Sequence, residues 1–93
     1  MERASAVFDA LGDPTRRQIV ASLARGSASA TALAAQLPIS RQAVAKHLCS
    51  LRAARLVSCE RVGRELLYTL DRGSLEEAAR WIASVGAEQE PTA

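Results

Sequence analysis

Gln42, Lys46, Cys49 and Ala53 recur at intervals of three and four residues. On a helix that turns about 100° per residue they share one face, flanked by Ala45 and Ser50. An amide, an ammonium and a thiol on one slim face suit hydrogen bonding and charge. The Gln42 amide offers a donor and an acceptor side by side, the pattern that pairs with an adenine edge. Lys46, one turn on, can reach a guanine edge or a phosphate. Ala43 and Ala45 are small enough to let the helix approach a groove, and they join the contact set. Ser40 and Arg41 stand at the helix start, where free N–H groups favour anions. Thr31, Arg52, Arg61, Gly63 and Arg64 complete the set as candidates for phosphate contact.

Nothing in the chain assembles a catalytic apparatus. It has no glycine-rich phosphate loop, no metal cluster and no Ser/His/Asp or Cys/His set, so an enzyme is not expected. His47, the only histidine, falls at the edge of a packing face and reads as structural. It lies about 200° around the helix from Cys49, so one subunit cannot bring both to one ion. No metal and no cofactor are expected. Cys49 lies one turn from Lys46, whose charge favours the thiolate. A redox switch is one reading of it; a small side chain tolerated at a groove is the other. Cys59 reads as a half-buried strand residue.

These groups need elements to hold them. The stretch from Ser40 to Val57 reads as one capped amphipathic helix, with 41–54 as its body. Val44, Leu48, Leu51 and Arg55 form its inner face, so Arg55 is expected to turn inward and pair with Glu60. Before it, Ser29 caps a helix over Ala30–Leu37, and Pro38 ends that helix. Two short helices joined by Pro38-Ile39-Ser40 make a helix-turn-helix over 30–54. Behind it, Leu56–Arg61 and Arg64–Leu70 read as strands around a Val62-Gly63 turn, a wing over 56–70. Leu66, Tyr68 and Leu70 alternate toward one of its faces.

Three further helices complete the chain. Glu2–Leu11 carries Val7, Phe8 and Leu11 on one side and stops at Gly12. Asp13 and Pro14 then open a helix with Ile19, Val20 and Leu23 inside. Arg16 and Arg17 read as a solvated face, or else as phosphate or cross-subunit contacts. Ser74-Leu75-Glu76-Glu77 reads as a capping box. The helix it opens, 74–86, presents Leu75, Ala78, Ala79, Ile82 and Val85, with Trp81 beside them. Gly86 is expected to end it, leaving 87–93 as a frayed tail.

Composition agrees with this layout. The 93 residues are 48% hydrophobic and only 3% aromatic, which sets a core of Ala, Leu, Val and Ile in a single domain over 1–93. Such a core is modest, which favours dimerisation. The net charge of +2 hides a segregation: residues 41–64 balance to +5 and residues 71–93 to −3. A basic middle points to a polyanion. No apolar run approaches the ~20 residues needed to span a bilayer. No signal-peptide core opens the chain, so a cytoplasmic protein with free thiols is expected.

The run from Phe8 to Val20, FDALGDPTRRQIV, resembles the opening of the arsenic-repressor type (ArsR) family of bacterial winged-helix regulators. Ser40 to Leu48, with Leu51 and Leu56-Val57, resembles that family's recognition helix. Gly63-Arg64-Glu65 with Leu67-Tyr68 and Leu70 resembles its wing. The resemblance implies a mainly α fold of about five helices with a two-stranded wing. It implies a homodimeric transcriptional repressor that binds double-stranded operator DNA as an inverted repeat. It also implies that helices 1–11 and 74–86 pair the subunits through Val7, Phe8, Leu11, Leu75, Ala78, Ala79, Trp81, Ile82 and Val85. Residues 31–37 carry no thiol or imidazole, and 75–85 offer only Glu76 and Glu77. The chain therefore resembles the family's non-metal-binding branch, with its effector unassigned. The rival reading is a winged-helix protein-interaction module that does not touch DNA; the basic outer face and arginine-tipped wing favour DNA.

Overall fold

A computed structural model describes residues 2–88. The elements are α1 (Glu2–Leu11), α2 (Pro14–Ala24), α3 (Ala30–Gln36), α4 (Arg41–Ala53), β1 (Val57–Val62), β2 (Glu65–Leu70) and α5 (Arg72–Glu88). Five helices with one antiparallel hairpin make a winged helix-turn-helix. The helix starts follow local chemistry. Asp13 Oδ2 accepts from the Arg16 N–H at 3.0 Å, Ser29 Oγ from Ala32 at 3.1 Å, and Ser40 Oγ from Ala43 at 3.0 Å. Inside, Ile19, Leu33, Val44, Leu48, Leu51 and Leu56 are fully buried around the helix-turn-helix. Among the described residues no helix is long and apolar enough to cross a membrane.

The stretch from Ser40 to Val57 is not one helix. Its α-helix ends at Ala53, and Arg55 takes the left-handed conformation at φ 63°. The Leu56 N–H reaches back to the Leu51 carbonyl at 3.0 Å, and the Arg55 N–H to Arg52 at 2.9 Å. These two bonds form the left-handed helix end usually built on glycine. The bend turns Leu56 into the core against Leu51, and that burial favours it over another turn of helix. Arg55 is thereby exposed, off the inner face expected for it, which removes the basis for pairing it with Glu60.

The capping box is also overruled. Asp71 Oδ1 accepts from the N–H groups of Gly73 at 3.0 Å and Ser74 at 3.4 Å, so α5 starts at Arg72. Ser74 is inside the helix and buried, its hydroxyl donating to the Arg55 carbonyl at 2.9 Å. At the far end α5 passes through Gly86 to Glu88, so 87 and 88 are helical. The rest of the expected tail, 89–93, lies outside the described residues.

Two smaller corrections concern arginines and the wing turn. Arg16 Nε donates to the Ala10 carbonyl at 2.7 Å and Arg17 Nη1 to Leu11 at 2.6 Å. They close the carbonyl end of α1, where cations are favoured, with Arg16 half-buried and Arg17 still exposed. Arg72 Nη2 does the same for α2 at Ala24, 2.7 Å. In the hairpin Val62 pairs with Glu65, so Val62 belongs to β1 and the turn is Gly63-Arg64. Gly63, at φ 64°, supplies the positive φ that the first position of such a tight turn requires.

The apolar stripe of α5 covers α1 within the same chain. Val7 and Ala78 are buried in the core, and the Phe8 and Trp81 rings meet edge to face, 5.6 Å between centroids. Trp81 and Ile82 nevertheless remain 44% and 56% exposed.

Candidate nucleic-acid interface

The wing is tied to the helix-turn-helix along its inner edge. Beyond β1, the β2 strand also bonds to Ala28, through Ala28 N–H to Tyr68 O at 3.1 Å and Tyr68 N–H to Ala28 O at 2.8 Å. Ser27 and Thr69 hydroxyls add a 2.7 Å bond alongside. Ala28 immediately precedes Ser29, the cap of α3, so the wing and α3 hold a set spacing.

Register decides which side chains face the helices. Val57 pairs with Leu70, Cys59 with Tyr68 and Arg61 with Leu66, so these six share one face. That face is buried at Val57 and Leu70 and opens toward the tip at Arg61 and Leu66. Between it and the starts of α3 and α4 runs a groove of about 490 Å³. Its walls carry Thr31 from α3, Arg41, Gln42 and Ala45 from α4, and Arg61 and Arg64 from the wing. Across the groove mouth Arg41 Nε donates to Thr31 Oγ1 at 3.0 Å. Three arginines face a single carboxylate there, Glu65, so the lining is cationic.

The groove thus gathers six of the expected contact residues. Lys46, Cys49 and Arg52 are exposed further along the outer side of α4, and Ser40 and Gly63 are exposed at the helix start and wing turn. Ala43 is half-buried, behind the outward face. Tyr68, Leu66, Glu65, Ser29 and Ala30 also line the groove and were not singled out from sequence. Alternation on β2 identified the face of Leu66 and Tyr68, but alternation does not separate a packing face from the floor of a groove. The Tyr68 hydroxyl is pushed above its ordinary range, chiefly by burial and then by the neighbouring Cys59 thiol.

A family model described as a helix-turn-helix domain matches residues 11–60, the span from the end of α1 into β1. The transcriptional repressor SdpR of Bacillus subtilis is 34% identical over 76 residues, 82% of this chain and 84% of that one. The ArsR-like transcriptional regulator from Rhodococcus sp. RHA1 superposes with a TM-score of 0.83 at 45% identity, covering 94% of this chain and 82% of the other. The chain belongs to the ArsR-type family of helix-turn-helix transcriptional regulators. An HTH-type transcriptional regulator of Mycobacterium tuberculosis is 47% identical over 64 residues, 69% of this chain. The match spans 60% of that regulator's own length. The span matched by the helix-turn-helix model holds α2, α3 and α4.

Proposed function

We propose that this regulator is a homodimeric, cytoplasmic repressor that reads an inverted-repeat operator with α4. The observation that carries the reading is the cationic groove between α4 and the wing, walled by Arg41, Arg61 and Arg64. Gln42 and Lys46, exposed on the first turns of α4, read base edges. Ser40, Arg41, Arg52, Arg61 and Arg64 serve the phosphates, with Thr31 beside Arg41 and Gly63 shaping the wing turn. Ala45 and Cys49 allow close approach, and Ala43 backs them.

Dimerisation is supported by the apolar side of α1 and α5. Val7 and Ala78 are consumed inside the subunit, so the pairing surface falls on Phe8, Leu11, Leu75, Ala79, Trp81, Ile82 and Val85. A twofold axis through it sets two α4 helices on half-sites about 34 Å apart. Repression follows the name of SdpR. The reading without metal rests on α3, which lacks thiol and imidazole.

The test is selection of duplexes from a random-sequence library by the purified protein, with its mass measured by sedimentation. The expected product is an inverted repeat with half-site centres about 10 base pairs apart, bound by a dimer. Failure to enrich any duplex overturns DNA reading and favours a protein-docking role.

A further inference from the structure

The geometry points to Thr31 as a positioning residue that fixes how Arg41 meets a phosphate. This deepens the function proposed above and rests on it. Arg41 occupies the first position of α4, and its side chain crosses to α3, where Nε donates to Thr31 Oγ1 at 3.0 Å. A guanidinium can present a side-on pair, Nε with one Nη, or an end-on pair, both Nη groups. With Nε committed to Thr31, only the end-on pair is left for a phosphate.

The bond singles Arg41 out. Among the described residues Arg61, Arg64, Lys46 and Arg52 make no side-chain hydrogen bond, whereas Arg41 is held before DNA arrives. A free arginine loses rotamer entropy when a phosphate captures it; for Arg41 part of that ordering is already present. Thr31 and Arg41 also come from the two helices of the helix-turn-helix. Their bond therefore ties the direction of the guanidinium to the angle between α3 and α4, and so to the placement of Gln42 one residue on. Thr31 carries no charge, so its contribution acts on geometry and leaves counterion release alone.

A double-mutant cycle on a duplex selected by the wild-type protein tests this, with binding followed across a salt series. Arg41→Ala is expected to weaken binding about tenfold and to flatten the log–log salt slope by about one. Thr31→Val is expected to weaken binding about threefold to tenfold with the slope unchanged, and Thr31→Ser to restore it. In the Arg41→Ala background Thr31→Val is expected to cost nothing more. Equal losses from Thr31→Val with and without Arg41 overturn the proposal, as does an unaffected Thr31→Val. If wild type binds no duplex, the function proposed above fails first. If it binds and the cycle shows no coupling, only the role of Thr31 fails.

Discussion

Ser74 Oγ donates a 2.9 Å hydrogen bond to the main-chain carbonyl of Arg55, joining the first turn of α5 to the bend between α4 and the wing. The Asp71 N–H reinforces the joint by donating to the Leu56 carbonyl at 2.8 Å. Ser74→Ala is expected to lose about 1 kcal/mol, because the Arg55 carbonyl loses its donor at a part-buried contact. Asp71→Ala is expected to cost about 1 kcal/mol as a lost cap. Urea unfolding measures both. A cost-free Asp71→Ala would return the cap to Ser74.

At Arg55 the strain is in the backbone. Arg55→Gly is expected to hold stability or raise it by up to about 1 kcal/mol, since glycine adopts a φ of 63° without steric cost. Arg55→Val is expected to lower it by about 1–2 kcal/mol, as a β-branched residue resists that conformation. Matched thermal melts separate the two; a less stable glycine variant would argue that the arginine side chain holds the bend.

Base reading and phosphate binding are expected to separate in competition assays. Gln42→Ala is expected to relax the preference for the selected duplex by about 1–3 kcal/mol while sparing non-specific binding. Arg64→Ala is expected to weaken all duplexes alike and to flatten the salt slope by about one unit. Equal slopes for wild type and the Arg64 variant would remove the wing contact.

On the proposed pairing face, Ile82→Asp is expected to shift sedimentation from dimer to monomer while leaving the subunit folded, because Ile82 is 56% exposed. DNA affinity should fall with it, since each half-site then binds alone. Val7→Asp, at a buried position, is expected to unfold the subunit instead. An unchanged dimer in Ile82→Asp would place the interface elsewhere.

Acid stability carries the mark of Asp13. Its carboxyl titrates below the ordinary 3.8, chiefly because it accepts the Arg16 backbone N–H. A lowered folded-state value stabilises the fold above about pH 4, and that contribution is lost as pH falls through the folded value. Asp13→Asn keeps a capping oxygen but cannot titrate. Its melting temperature should therefore fall less steeply than that of wild type between pH 4 and pH 2. Parallel curves would assign the acid transition to other carboxylates.

Much of this molecule was legible in the chain because its signals are local. Asp13, Ser29 and Ser40 each cap an N–H three residues on, and Pro14 fits a first helical turn. Alternation along 66–70 and the cations between 41 and 64 marked the wing and its basic side. The decisions that escaped were made by groups distant in sequence. Ser74 gave its hydroxyl to a carbonyl 19 residues away, and the cap passed to Asp71. Burial of Leu56 bent the chain at a residue with no glycine to announce it. Arg72 closed a helix 48 residues back, and Arg41 found Thr31 across the turn. Helical periodicity records which face a residue occupies. Which carbonyl, hydroxyl or core that face meets is decided by the packing of the whole chain.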